Sequence, residues 1–324
     1  MAVYLSTLKL LSGLSLLDKE IIHMNKYIKK LRNKILYHIC DLFPEFVTKS
    51  IYKERLNKKL NLVTPITFNE KLQWLKLNTY KDNKLVTQCS DKLAVRDYVK
   101  DRGCEEILIP LYGFWDKASD IDWATLPDKF VMKCNHGACY NIICRDKNNL
   151  NITNEVNKLN CWMREDYWRK SVEMGYKNIP KKIICEKFIE TKSGVLPYDY
   201  KVFCFNGKAE FVMVCVNRGS GKPKFYFMNR NWEMLPYGVD YTEVKLDCLT
   251  KPENFEKLFY YAEKLSQPFP FVRVDLYLND KVINFGELTF IHSAGMDKEL
   301  NNKKQNNVDE IMGDLIKLDF NKIS

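Results

Sequence analysis

The chain has 324 residues, of which 46% are hydrophobic and 28% are charged, and its formal net charge is +10. This composition is typical of a globular protein with one large domain or two ordinary ones. It excludes a membrane-spanning protein, because no apolar run reaches the roughly 18 residues of a transmembrane helix. Nucleic-acid binding is not expected either, since the basic residues are not interleaved with aromatic stacking positions.

The cysteines indicate the compartment. There are 11 of them, an odd number, and none forms a Cys-x-x-Cys pair. Free cysteines are typical of a reducing cytoplasm. The apolar segment 10–17 is short, has no strongly basic start and is not followed by a small-residue cleavage site, so no signal peptide is expected. We therefore expect a cytoplasmic protein.

Residues 1–60 are predicted to form a basic helical region. They contain 12 Lys and Arg residues and 5 Asp and Glu residues, so +7 of the net charge lies there. Apolar residues at positions 24, 28, 31, 35 and 39 form a helical stripe opposed by lysines, which predicts an amphipathic helix over residues 23–40. Such a helix can rest on anionic lipid at the inner face of the membrane. The alternative, which we favour, is a helix packed on the protein body with a solvated basic face.

Residues 61–125 are predicted to be a mostly helical segment. Thr67 and Glu70 form a capping box, which opens a helix that runs through Leu77. Two further elements are predicted here: a helix from Asp91 to about Lys100 that Ser90 caps, and a short strand over 106–110.

Residues 126–190 are predicted to form a small α+β lobe. Its elements are strands at 130–133, 141–144 and 182–188 and a helix at about 151–166, capped by Asn151 or Thr153. Lys133 ends the first strand, and Gly137 allows the backbone of the following loop to approach a ligand. Successive backbone N–H groups in such a loop can cradle a phosphate, whose charge Lys133 would neutralise.

Residues 191–324 are predicted to form a larger lobe around a mostly antiparallel sheet. Its elements are strands near 199–206, 208–217 and 224–229, a helix at 253–267, a hairpin at 271–290 and a last helix at 307–318. Asp199 and Lys201 share one strand face. They contact ribose, phosphate or an acceptor there, or they pair only with each other.

The hairpin carries the strongest chemical signal. Side chains alternate along a strand, so Arg273 and Asp275 share a face, and Glu287 and Thr289 share a face of the partner strand. If the register sets these faces side by side, Asp275 and Glu287 form a carboxylate pair that suits Mg²⁺. The alternative is an ordinary half-exposed hairpin with solvated charges.

The order of these features resembles the ATP-grasp superfamily, and the D-alanine–D-alanine ligases are similar at the level of single residues. Their adenine contacts lie on a Glu-Lys-aromatic-aliphatic segment, which is Glu186-Lys187-Phe188-Ile189 here. Their metal-binding end pairs an Arg-x-Asp strand with a Glu-x-Asn strand and continues into a Ser-containing loop ending in Gly. The matching residues are Arg273-Val-Asp275, Glu287-Leu-Thr289 and Ser293-Ala-Gly295. Thr289 stands where an Asn ligand is usual, so a second metal site is expected to be weaker or differently built.

A closer similarity, over roughly residues 62–300, is to the TupA-like ATP-grasp proteins. The motifs that carry it are Thr67-Phe-Asn-Glu-Lys-Leu-Gln-Trp-Leu-Lys76, Asp91-Lys-Leu-Ala-Val-Arg-Asp-Tyr-Val99, Leu108-Ile-Pro-Leu-Tyr-Gly-Phe-Trp-Asp116, Leu126-Pro-Asp-Lys-Phe-Val-Met-Lys-Cys-Asn-His-Gly137, Asp199-Tyr-Lys-Val-Phe-Cys-Phe-Asn-Gly207 and Phe269-Pro-Phe-Val-Arg-Val-Asp-Leu-Tyr277. The resemblance implies an α+β ATP-grasp fold that holds ATP between the small lobe and the sheet lobe.

The resemblance also implies roles for single residues. Lys92, in an Asp-Lys motif, and Lys133 are expected to bind phosphate. Arg273 is expected to stabilise the oxyanion of the reaction. His136 lies in a motif loop where it would contact the γ-phosphate, and His292 lies in one where it would contact the acceptor. Arg218, in the glycine-rich stretch 218–222, either closes over an acyl phosphate or belongs to a plain hairpin turn, since the stretch lacks the spacing of a Walker loop.

The function that the resemblance implies is an ATP- and Mg²⁺-dependent carboxylate–amine ligase of bacterial capsule, O-antigen or teichuronopeptide biosynthesis. It would join an amino acid or amine to a uronic-acid-containing saccharide through an acyl phosphate. Two alternatives stay open. One is a glycosyltransferase, although the Asp-x-Asp motif common in such enzymes is absent from a strand end. The other is an ATP-grasp kinase that phosphorylates a sugar.

Overall fold

A computed structural model describes residues 16–191, 197–216, 223–238, 249–279, 281–301 and 307–320. The helices in these ranges are α1 (Leu16–Ile39), α2 (Pro44–Leu56), α3 (Phe68–Leu77), α4 (Lys84–Ser90), α5 (Val95–Asp101), α6 (Ile152–Arg164), α7 (Phe255–Ser266) and α8 (Val308–Asp314). The strands are β1 (Leu111–Trp115), β2 (Phe130–Cys134), β3 (Asn141–Cys144), β4 (Ile183–Lys187), β5 (Tyr198–Phe205), β6 (Lys208–Val216), β7 (Lys224–Asn229), β8 (Met234–Leu235), β9 (Phe271–Asn279) and β10 (Val282–Thr289). None of the helices in the described ranges has the length and apolar character needed to cross a membrane.

The helices α1 and α2 pack on the rest of the protein through a small apolar cluster. Leu36 and Cys40 from α1 and its end, and Val47 from α2, are buried together with Trp168 and Met174. The 23–40 helix therefore packs on the protein body, as favoured, but Ile39 alone of its five stripe residues takes part in that packing. The side chains that are left exposed are Met24, Ile28, Leu31 and Ile35, whereas the helix meets the body through its opposite face.

The start of α3 is as predicted. Thr67 accepts a hydrogen bond from the Glu70 N–H, and the Glu70 carboxylate accepts one from the Thr67 N–H, so the capping box is complete. The next predicted cap is wrong, because Ser90 ends α4 instead of opening a helix. The carboxylate of Asp91 accepts N–H bonds from the two residues after Lys92, and this turn delays the start of α5 to Val95.

The strand predicted at 106–110 is also wrong. Residues 105–107 form a short 3₁₀ turn, in which the N–H groups of Ile107 and Leu108 bond to carbonyls three residues back. Pro110 has no N–H to donate to a ladder. The strand therefore begins one residue later, at Leu111.

The small lobe is a four-stranded antiparallel sheet in the order β1-β4-β2-β3. Phe130, Met132, Ile183 and Cys185 form its apolar face with Leu159 of α6. As predicted, Asn151 caps α6, where its side chain accepts from the N–H at position 154.

The large lobe is a six-stranded antiparallel sheet in the order β10-β9-β5-β6-β7-β8. Val202 and Val274 are buried on one face and belong to the same apolar core as Leu258 and Ala262 of α7. Because side chains alternate, the opposite face of β5, β9 and β10 carries the charged residues from 199 to 201, 273 to 275 and 287. The fold therefore gathers these charges on one rigid surface.

Candidate active site

The β9–β10 hairpin brings the predicted carboxylates together. Asp275 pairs with Glu287 across the ladder, and Arg273 pairs with Thr289. This is the register on which the carboxylate pair depends. A bulge lies beside Glu287, at Gly286, where an added Cβ would be 2.9 Å from the backbone oxygen of Asp275. Glycine at this position lets the strands stay close while the two carboxylates face the same side.

Asp275 lies between two cations. Arg273 donates from Nε and NH2 to its two oxygens at 2.7 Å each, and Lys201 donates to Oδ2 at 2.6 Å. Burial alone raises the pKa of the Asp275 carboxyl, but Arg273 and Lys201 together lower it below its ordinary value. Lys201 also lies 2.6 Å from Asp199, which agrees with the alternative that these two residues pair, although Lys201 pairs with Asp275 as well. The Asp275 carboxyl is therefore ionised at neutral pH.

His292 continues this network. The Arg273 NH1 group donates to His292 Nδ1 at 2.6 Å, so Nε2 carries the ring proton and donates to Asp297 Oδ2 at 2.9 Å. Burial, helped by the charge of Arg273, lowers the pKa of His292 below its ordinary value despite the opposing hydrogen bond to Asp297. The imidazole is therefore neutral and fixed in one tautomer.

The loop that carries His292 is held by polar side chains of α3. Gln73 donates to the carbonyls of Ala294 and Gly295 at 2.9 and 2.7 Å. Asn69 donates to the carbonyl of Asp297 and accepts from its N–H, at 3.1 and 2.7 Å. Gly295 has φ +66°, and an added Cβ would be 2.5 Å from Gln73 Nε2. A glycine is therefore required at the end of this loop.

A cavity at the junction of the two lobes contains the segment predicted to contact adenine. Its walls include Lys133, Glu186, Lys187, Phe188 and Ile189, joined by apolar side chains of residues 109, 131 and 143. Lys133 lies 2.6 Å from Glu186 and its side chain is 16% exposed. Burial lowers the pKa of Lys133, but Glu186 and other neighbouring acids raise it above its ordinary value. The cavity thus combines apolar walls with a cation, Lys133, that an ion pair holds in place.

Lys92 connects the two halves of the site. Its ammonium donates to the carbonyl of Gly137 at 2.7 Å and lies 3.5 Å from Glu287. Asn135 ties the residue before Lys92 to the start of β4. Its side-chain amide donates to Asp91 at 2.8 Å, and its side-chain oxygen accepts the N–H of Lys182 at 2.7 Å. The loop of the small lobe and the hairpin of the large lobe therefore meet at one lysine.

The structure gives a different reason for Gly137 than the sequence suggested. Its φ is not in the left-handed region, and an added Cβ would be 2.7 Å from Tyr167 and 2.8 Å from Tyr140. Next to it, His136 donates from Nε2 to the carbonyl of Trp162 at 3.1 Å, and burial lowers its pKa. Both residues are held by packing inside the small lobe, and a contact of His136 with the γ-phosphate stays a prediction.

A family model described as TupA-like ATPgrasp matches residues 70–317, which is most of the chain. The chain belongs to the TupA-like ATP-grasp family. The predicted α+β ATP-grasp architecture, preceded by an N-terminal helical region, is confirmed. A search of curated proteins finds no match.

Solved structures similar to this TupA-like protein have low sequence identity. A D-alanine–D-alanine ligase from Bacillus anthracis complexed with ATP is 14% identical over 70% of this chain and 63% of its own, with a TM-score of 0.40. An L-amino acid ligase from Bacillus licheniformis is 13% identical over 91% of this chain and 64% of its own, with a TM-score of 0.43. The ATP-grasp ligase PsnB, with a minimal precursor, is 8% identical over 72% of this chain and 61% of its own, with a TM-score of 0.37. The chain spans less than two thirds of each of these three proteins.

The hairpin of the TupA-like protein offers oxygen donors that fit Mg²⁺. Glu287 is the more accessible of the two carboxylates, with a side chain 33% exposed against 3% for Asp275, and the Thr289 hydroxyl lies on the same strand. Among the described residues, no group of three or more His, Cys, Asp or Glu side chains is placed to hold a metal ion. Mg²⁺ commonly takes one or two carboxylates and completes its shell with water and phosphate oxygens, so Glu287 and Asp275 would be enough to hold it, with Asp275 also bonded to Arg273 and Lys201.

Three residues of the site were not singled out by sequence reasoning. Asn69, Gln73 and Asn135 are fully buried polar side chains that hold the loops around Lys92 and His292. All three lie inside the long motifs that resemble the family, and this was the available signal. Arg218 lies outside the described residues, so its predicted role stays a prediction.

Proposed function

We propose that this TupA-like ATP-grasp protein is an ATP- and Mg²⁺-dependent carboxylate–amine ligase. The observation that carries the proposal is the position of Lys92. Its ammonium lies between the Gly137 carbonyl and Glu287, and so between the loop of the small lobe and the carboxylates of the hairpin. A nucleotide whose base enters the cavity at Phe188 would extend its phosphates past Lys133 toward this point.

In this proposal each lobe supplies one part of the nucleotide site. The side chains of Phe188 and Ile189 give the adenine an apolar wall. Lys133 and Lys92 act as point charges on the phosphates and require no fixed bidentate geometry. Lys133 is already held by Glu186, so its position costs little reorganisation when the nucleotide binds.

Glu287, Asp275 and Thr289 would hold Mg²⁺ at the phosphate end. When bound, the ion neutralises charge on the phosphate oxygens and orients them for transfer. Asp275 already has two cationic partners, whereas Glu287 has one at 3.5 Å. Glu287 is therefore the ligand that governs metal binding in this proposal.

The chemistry proceeds in two steps. An oxygen of the substrate carboxylate attacks the γ-phosphorus of ATP, the bond to the β-phosphate oxygen breaks, and ADP and an acyl phosphate form. The amine then attacks the acyl carbon, phosphate leaves, and the amine loses a proton to solvent. Arg273 would stabilise the oxyanion of the second step. His292 accepts from Arg273 at Nδ1, so it fixes the direction of that guanidinium and presents only an N–H elsewhere.

The family resemblance supports a uronic-acid-containing saccharide as the carboxylate and an amino acid as the amine. It supports a cytoplasmic step in the biosynthesis of a bacterial surface polysaccharide. A cavity of about 540 Å³, with Arg273 and Lys201 in its walls, is large enough for a sugar ring.

The test is a nucleotide assay with ATP, Mg²⁺, UDP-glucuronic acid or free glucuronic acid, and each of the common amino acids. We expect ADP and phosphate in equal amounts only when a carboxylate and an amine are both present, together with an amide product detected by mass spectrometry. Glu287→Gln should remove this activity, whereas the exposed matched variant Glu310→Gln should keep it. Mass spectrometry of the surface polysaccharide from a deletion strain identifies the native pair, because one amide-linked substituent should be missing.

Other products would contradict the proposal. A phosphorylated sugar with no amide would make the protein a kinase. Transfer of a sugar from a sugar nucleotide, with ATP unused, would make it a glycosyltransferase.

We also propose that α1 docks on an anionic membrane surface. One face of this helix presents Met24, Ile28, Leu31 and Ile35, each about half exposed or more, with Tyr27 beside them. Lys30 and Lys34 flank this stripe and have no ion pair among the described residues. An exposed apolar stripe with flanking lysines is complementary to acyl chains and anionic head groups. This would place the protein at the inner face of the membrane.

A further inference from the structure

A cavity of about 530 Å³ lies between the N-terminal helices and the two lobes. Its walls contain five cations and a single carboxylate. The cations are Lys29, Arg55, Arg169, Lys170 and Lys298. Because like charges repel one another, such a wall is stable only if internal partners or a ligand compensate it.

Internal partners compensate three of the five. Lys29 pairs with Glu54 at 2.8 Å, and Lys170 pairs with Glu165 at 2.6 Å. Arg169 lies 3.3 Å from Asp166 and 3.7 Å from Asp41.

Arg55 and Lys298 differ from these three, because neither forms an ion pair with any carboxylate in the described part of the chain. Both side chains are exposed. Arg55 acts on two carboxyls at longer range: it lowers the pKa of Glu173, which burial raises, and that of Asp297, which burial raises and the hydrogen bond of His292 also lowers. These two cations are therefore available to a ligand.

The cavity leads to the proposed reaction centre. A second cavity of about 540 Å³ is lined by Lys201, Arg273 and His292, and its walls again include Arg55 and Lys298. The two cavities thus share these two cations as a common boundary. A ligand with a phosphate at the boundary would extend its other end toward Arg273.

We propose that Arg55 and Lys298 bind the phosphate or diphosphate group through which the saccharide acceptor is attached to its carrier. The proposal rests on the proposed ligase function and names the acceptor as a phosphate-linked saccharide rather than a free sugar. Arg binds two phosphate oxygens at once, and Lys adds a mobile point charge, so the pair suits a diphosphate. A nucleoside diphosphate and a lipid diphosphate share this chemistry.

The N-terminal region supplies part of this site, because Arg55 lies on α2. Arg55 and Lys29 precede residues 70–317, which the family model matches. The packing of α2 on the body, with Tyr52 buried one turn before Arg55, fixes this cation beside the large lobe. The N-terminal helices therefore supply one side of an acceptor site in addition to their membrane-facing stripe.

The test uses isothermal titration calorimetry with the full chain saturated with AMP-PNP and Mg²⁺, which fills the nucleotide subsites. The probes are inorganic pyrophosphate, UDP and farnesyl diphosphate. We expect all three to bind, and Arg55→Gln combined with Lys298→Gln to weaken binding at least tenfold. A control removes two exposed lysines from distant helices, Lys84→Gln with Lys257→Gln, and should bind as the unchanged protein does.

The outcomes separate the sources of the diphosphate. Tighter binding of UDP than of pyrophosphate indicates a nucleotide carrier, and tighter binding of farnesyl diphosphate indicates a lipid carrier. Equal binding of all probes to the unchanged and the doubly substituted protein would overturn the proposal, as would no binding at all.

Failure of the ligase proposal would give a different result in these titrations. If AMP-PNP does not bind, the nucleotide assignment fails, and the same titrations without AMP-PNP still compare the unchanged protein with the double variant. AMP-PNP affinity itself should not change in the double variant, because Phe188 and Lys133 lie in a separate cavity.

Discussion

Arg273 and Asp275, two residues apart on one strand, are joined by two hydrogen bonds of 2.7 Å, one to each carboxylate oxygen. The guanidinium also donates to the Thr289 hydroxyl at 3.1 Å. Parallel bonds of this kind fix direction as well as distance. Arg273 is therefore oriented before any ligand binds, which is what oxyanion stabilisation requires.

Replacing one carboxylate tests the metal assignment. We predict that Glu287→Gln lowers activity at least 100-fold and raises the Mg²⁺ concentration needed for half-maximal activity, because the most accessible ligand charge is lost. The thermal unfolding temperature should stay within a few degrees, since this side chain is partly exposed and its ion pair with Lys92 is 3.5 Å long. Glu310→Gln is the control. Normal activity of Glu287→Gln would contradict the assignment.

Nucleotide binding should depend on Lys133. We predict that Lys133→Ala weakens ATP binding by about tenfold or more, because it removes a fixed cation and leaves the Glu186 carboxylate to repel the phosphates. Calorimetric titration with ATP and Mg²⁺ measures this. The control is Lys129→Ala, which breaks an exposed ion pair with Glu190 on the same lobe. Equal ATP affinities of the two variants would show that the phosphates do not bind at Lys133.

The sequence predicted β2 to β7 and the hairpin well, because alternating apolar residues and turn signals are local, whereas it missed β1 and β8. The cross-strand pairing of Asp275 with Glu287 could be stated as a condition but not established, since register depends on a bulge at Gly286. The roles of Asn69 and Gln73 could not be predicted. Both act on a loop more than 220 positions away, and no local pattern reports such contacts.

The neutral imidazole of His292 predicts a pH dependence of stability. Burial and the charge of Arg273 hold the pKa of His292 below the value of about 6.5 that it has in an unfolded chain. Below that pH the unfolded chain binds more protons than the folded protein, so the free energy of unfolding falls as the pH falls. Protonation of His292 would place an imidazolium against the Arg273 guanidinium, and Nδ1 could no longer accept the Arg273 hydrogen bond.

The measurement is urea unfolding at pH 7.5 and pH 5 for the unchanged protein and for His292→Gln, which cannot titrate. We expect the unchanged protein to lose more stability between the two pH values than the variant loses. The pKa of Glu173 is raised by burial to about 7, and this contributes with the opposite sign in the same range. That contribution is common to both proteins and cancels in the comparison. Parallel losses would show that His292 does not resist protonation.

The loop after β10 should tolerate no side chain at Gly295. We predict that Gly295→Ala lowers the free energy of unfolding by roughly 2 kcal/mol, because it adds left-handed strain and a clash with Gln73. Gly295→Asn separates the two causes, since Asn tolerates the left-handed region but still carries a Cβ. If the clash dominates, both variants are destabilised. Full recovery with Asn would show that only the backbone conformation matters.

How the N-terminal region packs on the rest of the protein could not be predicted from its charge alone. Its net charge of +7 does not indicate which of its side chains are buried. The structure buries Leu36, Val47 and Tyr52. Leu36 and Val47 lie in one cluster with Trp168, so deleting residues 1–60 would expose part of the core. Point substitutions on the exposed face are the better experiment.

The membrane-facing stripe can be tested without disturbing that core. We predict that Ile28→Ser with Leu31→Ser reduces binding to anionic vesicles by about tenfold or more, since burying an aliphatic side chain contributes about 1.5 kcal/mol or more. The measurement is co-sedimentation with vesicles of phosphatidylserine and phosphatidylcholine at low and high salt. The control, Phe114→Ser with Tyr260→Ser, removes equally exposed apolar side chains elsewhere.

Salt separates the two contributions to this binding. Each lysine near an anionic surface contributes about 1 kcal/mol, and salt screens it, so Lys30→Gln with Lys34→Gln should weaken binding mainly at low salt. Loss of the apolar pair should weaken binding at both salt concentrations, because hydrophobic contact is not screened. If the unchanged protein stays in the supernatant with anionic vesicles at low salt, the stripe does not dock on lipid, and α1 only packs on the protein body through Leu36.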